Sequence, residues 1–143
     1  MATKAEAEAL AAQGAAGADE LSAELREALQ ELQKNLRGIL GSVIVDNQGT
    51  PLVWELRGGV EPMLVATAGA MLARATDRTA DHLDMGAMRN TVLTTEQGSI
   101  AIFRITDQAS LVTLLQPTTN NILVLVEVNK TLERLRGVMV PGR

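Results

Sequence analysis

The sequence contains no cysteine and a single histidine, His82, in 143 residues. Thiolate chemistry, iron–sulfur ligation and zinc sites that need several His or Cys ligands are therefore excluded. Disulfide bonds are excluded as well, so the chain suits a reducing compartment. One Trp, one Phe and no Tyr are too few for a binding site based on aromatic stacking.

Runs of basic residues and long apolar runs are also missing. Lys and Arg number 13 against 17 Asp and Glu, which gives a formal net charge of −4, and no basic stripe is present for binding nucleic acid through counterion release. The longest apolar-rich window, 63–73, is far shorter than the roughly 18 residues that a membrane span needs. Acidic residues follow Lys4 before any apolar stretch, which does not fit a secretory signal. We expect a cytoplasmic protein that neither spans a membrane nor binds nucleic acid.

A chain of this length forms one domain of ordinary size. We predict a flexible Ala- and Glu-rich tail over 1–18, a single domain over 19–137 and a short C-terminal tail over 138–143. For the composition of the N-terminal tail, a tether and a helical extension of the first helix stay open as alternatives. The first helix is predicted to begin with Asp19 as its N-cap and to end before Gly38. Its leucines follow a helical spacing and form one stripe: Leu21, Leu25, Leu29, Leu32 and Leu36.

The middle of the chain alternates strand-like and helix-like segments. The runs 39–45 and 52–56 flank the turn sequence Asp-Asn-Gln-Gly, which predicts a β-hairpin. A helix over 60–82 follows, with Pro62 in its first turn, where a missing N–H has no cost. Three further strand-like runs, which predict an antiparallel meander, are 90–95, 99–105 and 110–115.

The segment 122–128 has a strand-like composition, but its apolar residues continue at helical spacing toward Leu135. Thr118 to Asn121 supply N-cap candidates, and Arg134, Arg136 and Gly137 suit a helix end, so a helix is favoured. The predicted order is α-β-β-α-β-β-β-α. This is an α+β fold with a five-stranded antiparallel sheet covered by helices.

This order of elements, the hairpin 41–52 and the segment 96–102 (EQGSIAI) resemble the roadblock/dynein-light-chain family. The resemblance covers about residues 20–136 and rests on a pattern without a chemical signature. It implies a roadblock, profilin-like fold and a homodimer or heterodimer, in which the sheets join edge to edge and the second helices pack across the twofold axis. It also implies binding and regulation of a small Ras-like GTPase, or scaffolding of a larger assembly.

The helix over 60–82 has three sectors when successive residues are placed 100° apart. An apolar arc is predicted to pack on the sheet: Leu64, Val65, Ala68, Met71, Leu72 and Ala75. An arc of small side chains is predicted to be a dimer interface: Ala66, Gly69, Ala70 and Ala73. An exposed, basic-edged arc is predicted to bind a partner: Met63, Thr67, Arg74 and Arg78. One alternative is that the small arc packs within its own domain. Another is that Arg74 and Arg78 lie on a solvated face and bind no partner.

The strand over 90–95 is polar enough for a sheet edge but lacks the Pro or Lys residues that block pairing between chains. Its first four residues, Asn90, Thr91, Val92 and Leu93, are therefore predicted to pair with a second copy. The alternative is that Arg89 and Asn90 discourage such pairing by themselves.

No metal, cofactor or catalytic site is predicted. Asp77 and Asp81 share one helix face, but His82 lies on another. Acidic groups at a helix C-terminus, Asp84 included, indicate a solvated end of the helix. No nucleophile elbow or Walker pattern is present. The protein is therefore not expected to be an enzyme or to bind a nucleotide itself.

The sequence and the resemblance together predict a dimeric, non-catalytic regulator of a small Ras-like GTPase, bound through the paired second helices. The alternative is a dimeric scaffold of the light-chain type that has no effect on GTP turnover. A third interpretation, a small-molecule sensor, requires an interior pocket. The bulky residues assigned to the core, Trp54, Phe103 and Leu115, argue against it.

Overall fold

The structure, a computed structural model, describes the backbone of residues 15–140 and the side chains of residues 20–140. Its elements follow the predicted order: α1 (Ala15–Asn35), β1 (Ile39–Asp46), β2 (Pro51–Leu56), α2 (Pro62–His82), β3 (Asn90–Thr95), β4 (Gly98–Thr106), β5 (Ala109–Leu115) and α3 (Asn121–Met139). The α+β class with a five-stranded antiparallel sheet is thus confirmed. No helix within the described residues is both long and apolar enough to cross a membrane.

The sheet has the strand order β2-β1-β5-β4-β3, and all neighbouring strands are antiparallel. Because side chains alternate between the two faces of a strand, β1 contributes to two separate cores. Ile44 packs in the core that includes α1 and α3, whereas Val43 and Val45 pack with Val65 of α2. The domain therefore has three layers, with α1 and α3 on one face of the sheet and α2 on the other.

Helix α1 begins at Ala15, four residues before the predicted start, so Asp19 lies inside the helix and is not its N-cap. The preceding alanines are strong helix formers and extend the helix toward the N-terminus. The remainder of the predicted tail, 1–14, lies outside the described residues. The leucine stripe is buried from Leu25 to Leu36, while Leu21 is exposed. Gly38 has a positive φ, as expected after a helix end, but follows the last helical residue by three positions.

The helical interpretation of 122–128 is confirmed by α3. The Asn120 side-chain oxygen accepts hydrogen bonds from the backbone N–H groups of Ile122 at 2.9 Å and Leu123 at 3.3 Å, as an N-cap does. The helix continues through Gly137 and ends at Met139, two residues later than the predicted domain boundary. This extension is stabilised because the side chain of Met139 packs against the core of α1 and α3.

The assignment of Trp54 to the core is wrong. Its side chain is 38% exposed, whereas Phe103 and Leu115 are buried as predicted. The reason lies in the topology, because β2 is an edge strand and only one of its flanks is packed against a neighbouring strand.

Candidate functional site

Helix α2 turns its small side chains toward its own sheet. Ala66 is fully buried, Gly69 is buried, and Ala70 and Ala73 are half-buried. A Cβ atom added at Gly69 would lie 2.6 Å from Cγ2 of Val112 on β5. The alternative of packing within the domain therefore holds, and the predicted outward orientation of this arc is corrected. Ala66 and Gly69 have no surface left for a second copy.

The apolar arc that was predicted to pack on the sheet is divided. Val65 and Leu72 pack inward with the core of α2, but Leu64 is 68% and Met71 is 63% exposed, and Ala68 and Ala75 are exposed beside them. The prediction for these four residues is therefore wrong. The close approach of α2 to the sheet explains part of this exchange, because Val112 leaves no room for a side chain at Gly69.

We define the outer face of α2 as its solvent-exposed side: Met63, Leu64, Thr67, Ala68, Met71, Arg74, Ala75 and Arg78. The predicted partner-binding residues Met63, Thr67, Arg74 and Arg78 all lie on this face, and their predicted exposure is confirmed. Their role in partner binding stays a prediction. A contiguous exposed apolar surface edged by cationic side chains is typical of a protein-interaction site.

The C-terminal part of α2 is attached to the sheet by Asp77. Its carboxylate accepts hydrogen bonds from Nη2 of Arg104 on β4 at 2.7 Å and from the backbone N–H of Met88 at 3.1 Å. Arg104 in turn accepts a bond on its carbonyl from Nη2 of Arg136 on α3 at 3.0 Å. These contacts hold the segment that leads from α2 into β3, and so position β3 relative to α2.

The role of Asp77 was missed in the sequence, where it was grouped with the acidic residues at the helix end. Its position eight residues after Gly69 and four after Ala73 places it on the inward side of α2, and this spacing is the signal that indicates a structural role. Among the side chains of residues 20–140, no group of three or more acidic or imidazole groups is arranged to hold a metal ion.

Strand β3 lies at the edge of the sheet, as predicted, and pairs with β4. Val92 is 45% and Leu93 is 47% exposed, although they point to opposite faces of the sheet, since Val92 lies opposite Ala101 and Leu93 opposite Ile100. Both faces of this strand are thus largely open to solvent. Asn90, Thr91, Val92 and Leu93 occupy the edge, and their pairing with a second copy stays a prediction.

The outer face of α2 and the edge of β3 together are suited to binding rather than to catalysis. They present apolar side chains, hydroxyls, backbone hydrogen-bonding groups and the guanidinium groups of Arg74 and Arg78. Leu93 points toward the side of the sheet that carries α2, because its partner Ile100 packs with the α2 core. One partner that lies along this side of the domain would therefore contact both elements.

Comparison with protein families gives a match to the Roadblock/LC7 domain model over residues 25–115. This range runs from the first buried leucine of α1 to the end of β5. The uncharacterized protein MJ1340 of Methanocaldococcus jannaschii is 27% identical to this chain over 110 residues, which are 77% of this chain and 95% of that protein.

Two solved structures have the same fold. MglB of Myxococcus xanthus gives a TM-score of 0.76 at 15% identity, with 82% of this chain and 89% of that chain covered. A Roadblock/LC7 domain from Streptomyces avermitilis gives a TM-score of 0.76 at 11% identity, with 81% of this chain and 98% of that chain covered. At such identities the similarity concerns the arrangement of helices and strands.

Proposed function

Because the chain belongs to the Roadblock/LC7 domain family, we propose that it is a dimeric, non-catalytic regulator of a small Ras-like GTPase. The observation that carries the proposal is the outer face of α2, where Leu64 and Met71 are mostly exposed. Large apolar side chains that stay in water cost free energy, and burial against another protein removes this cost.

The dimer of this proposal uses the free edge of β3. A twofold axis perpendicular to the sheet would pair β3 with its copy in antiparallel orientation and keep both α2 helices on the same side. The pairing would satisfy the open backbone groups of the strand and cover Leu93. Two α2 helices on one side of a continuous sheet then bring their outer faces together, in agreement with the arrangement that the family resemblance implies.

The GTPase in this proposal binds to the part of the paired outer faces that the dimer leaves exposed. Met63 and Thr67 provide apolar and hydroxyl contacts, and Arg74 and Arg78 provide cations for acidic groups of the partner. Regulation follows if the surface binds one conformation of the GTPase switch segments better than the other, because such a difference in affinity shifts the conformational equilibrium. The GTPase itself supplies the catalytic machinery.

The dimer is tested by measuring the mass of the full chain in solution with light scattering. The chain has a mass of 15.2 kDa, and the expected particle has twice this mass at micromolar concentration. Met71→Glu places a charge on the outer face and should weaken dimerisation at least tenfold. Leu52→Glu, which adds the same charge at an exposed apolar residue of β2, is the matched control and should leave the mass unchanged. A monomer at high concentration would refute the dimer.

Regulation is tested by GTP turnover and nucleotide release of a Ras-like GTPase that co-purifies with the protein. We expect the wild-type chain to change one of these rates at least severalfold, and Arg74→Glu combined with Arg78→Glu to abolish the change. Binding without any change in turnover or release would reject regulation and support the dimeric scaffold instead.

A further inference from the structure

A cavity of about 280 Å³ lies between α2 and the end of the sheet that carries the β1–β2 and β4–β5 turns. Its apolar wall is formed by Ala73 of α2 with Ile102 and Val112 of the sheet. Charged and hydroxyl side chains also line it, among them Arg74 and Ser110. The volume corresponds to roughly nine water molecules at about 30 Å³ each, which is the size of a small organic molecule.

The cavity exists because small residues follow one another on the inner side of α2. At Gly69 the helix is so close to the sheet that a Cβ atom would collide with Val112. One turn later Ala73 offers only a methyl group, and Ser110 on the strand below is equally short. The space is a cleft that is open to solvent, and clefts that combine an apolar wall with a few polar groups are the usual binding sites of small molecules.

Two of the carboxylates at the cavity are already engaged by internal donors. Asp77 accepts hydrogen bonds from Arg104 and from the backbone N–H of Met88. Oδ1 of Asp46 accepts the backbone N–H groups of both Gln48 and Thr50, each at 2.9 Å. Asp77 is therefore a poor partner for a bound cation, because both of its oxygens serve the protein's own contacts, whereas Asp46 uses only Oδ1 in its turn.

Donor groups for an anion also remain at the cavity. Arg74 and the hydroxyl of Ser110 make no hydrogen bond or ion pair within the part of the chain that the structure describes, and Arg104 uses only Nη2 on Asp77. The planar guanidinium of an arginine matches a carboxylate or phosphate group with two parallel hydrogen bonds. The remaining acidic residue, Asp107, is exposed at the rim, where water and salt screen its charge.

We propose that this cavity binds a small aliphatic carboxylate, whose carboxylate group is held by Arg74 and Ser110 and whose carbon chain packs on Ala73 and Ile102. A single negative charge fits better than the higher charge of a phosphate, since the three carboxylates of the lining outnumber its two guanidinium groups and repel further negative charge. The apolar wall requires a hydrocarbon body, which inorganic anions lack. This site is separate from the outer face of α2, apart from Arg74, which borders both.

The proposal is tested by NMR titration of the isotope-labelled full chain with butyrate, with 1-butanol and inorganic phosphate as comparison probes. Butyrate should shift the backbone amide signals of Ala73, Ile102 and Ser110 with saturation in the millimolar range. Butanol lacks the charge and phosphate lacks the hydrocarbon chain, so each should bind at least tenfold more weakly. Absence of saturation with butyrate, or equal affinity for phosphate, would overturn the proposal.

Two variants identify the binding groups. Arg74→Gln should weaken butyrate binding at least tenfold, whereas Arg78→Gln, the matched change one turn further along α2 and outside the cavity lining, should change it less than twofold. Ala73→Leu fills the cavity and should abolish binding. Equal losses of butyrate affinity in the two arginine variants would indicate a nonspecific charge effect and refute the site. Because both arginines are exposed, these two variants should fold, and the comparison holds even if Ala73→Leu does not fold.

Discussion

The inner and outer faces of α2 differ in a way that composition alone does not suggest. The inner face carries small side chains where α2 is closest to the sheet, Ala66 and Gly69, beside the larger Val65 and Leu72. The outer face carries the larger apolar side chains, Leu64 and Met71, which are exposed. The difference shows that the distance between an apolar helix and the sheet decides which side of the helix can be buried. It also shows that large apolar side chains exposed to water indicate an interaction surface.

The largest change in the free energy of unfolding is expected for a substitution on the inner face of α2. Gly69→Val adds atoms where a Cβ would already lie 2.6 Å from Val112, so we expect the free energy of unfolding to fall by about 3 kcal/mol. Urea unfolding followed by circular dichroism measures the change. In the double variant with Val112→Ala, the smaller side chain at 112 removes the clash, so part of the lost free energy of unfolding should be recovered. Full additivity of the two substitutions would contradict the close contact between residues 69 and 112.

A smaller effect is expected where α2 is attached to β4. Asp77→Asn weakens the charge-assisted hydrogen bond to Arg104 and should cost about 1 kcal/mol, a value discounted because both side chains are partly exposed. Hydrogen exchange of the Met88 amide should become faster, since its acceptor is altered. Asp81→Asn, one turn later and exposed, is the control. Equal stability of the two variants would show that the ion pair does not hold α2.

A second glycine sharpens the contrast with Gly69. Gly137 lies within α3, and a Cβ atom added there would have no heavy atom within 4 Å among those the structure describes. Gly137→Ala should therefore raise the free energy of unfolding by about 0.5 kcal/mol through helix propensity alone, measured as a higher urea midpoint. A destabilisation would mean that the surroundings of α3 are more crowded than the structure indicates.

The smallest effect on stability is expected on the outer face. Met71→Ser removes a large but mostly exposed side chain and should change the free energy of unfolding of the monomer by less than about 0.5 kcal/mol. The unfolding is measured at a concentration low enough to separate any dimer. A loss of 2 kcal/mol or more under these conditions would mean that Met71 is buried within the single chain, and the distinction between the two faces would fail.

Local signals were sufficient for much of the fold. Three such signals act within a few residues: the turn at 46–49, Pro62 in the first turn of α2 and the side chain of Asn120. The helices and strands that they delimit follow the predicted order. The edge position of β3 and the exposure of Arg74 were also predicted, because polar and charged residues seldom occupy a core.

The parts that the sequence did not reveal depend on contacts between distant residues. Asp77 and Arg104 are 27 positions apart, and the cavity beside them combines α2 with two turns of the sheet. The expectation of no interior pocket depends partly on a core position for Trp54, whereas this side chain lies partly exposed on an edge strand. The spacing of residues along α2 indicates that Asp77 faces inward, but it does not indicate which residue of another element Asp77 contacts.

By itself, the sequence determined the type, order and approximate ends of the helices and strands, since hydrophobic period, capping and turn residues act over short distances. Only the tertiary structure decided which apolar side of α2 faces the sheet. Both sides satisfy the pattern of an amphipathic helix, and the choice depends on the volume of Val112 and its neighbours beneath Gly69. These side chains become adjacent to α2 only when the chain has folded.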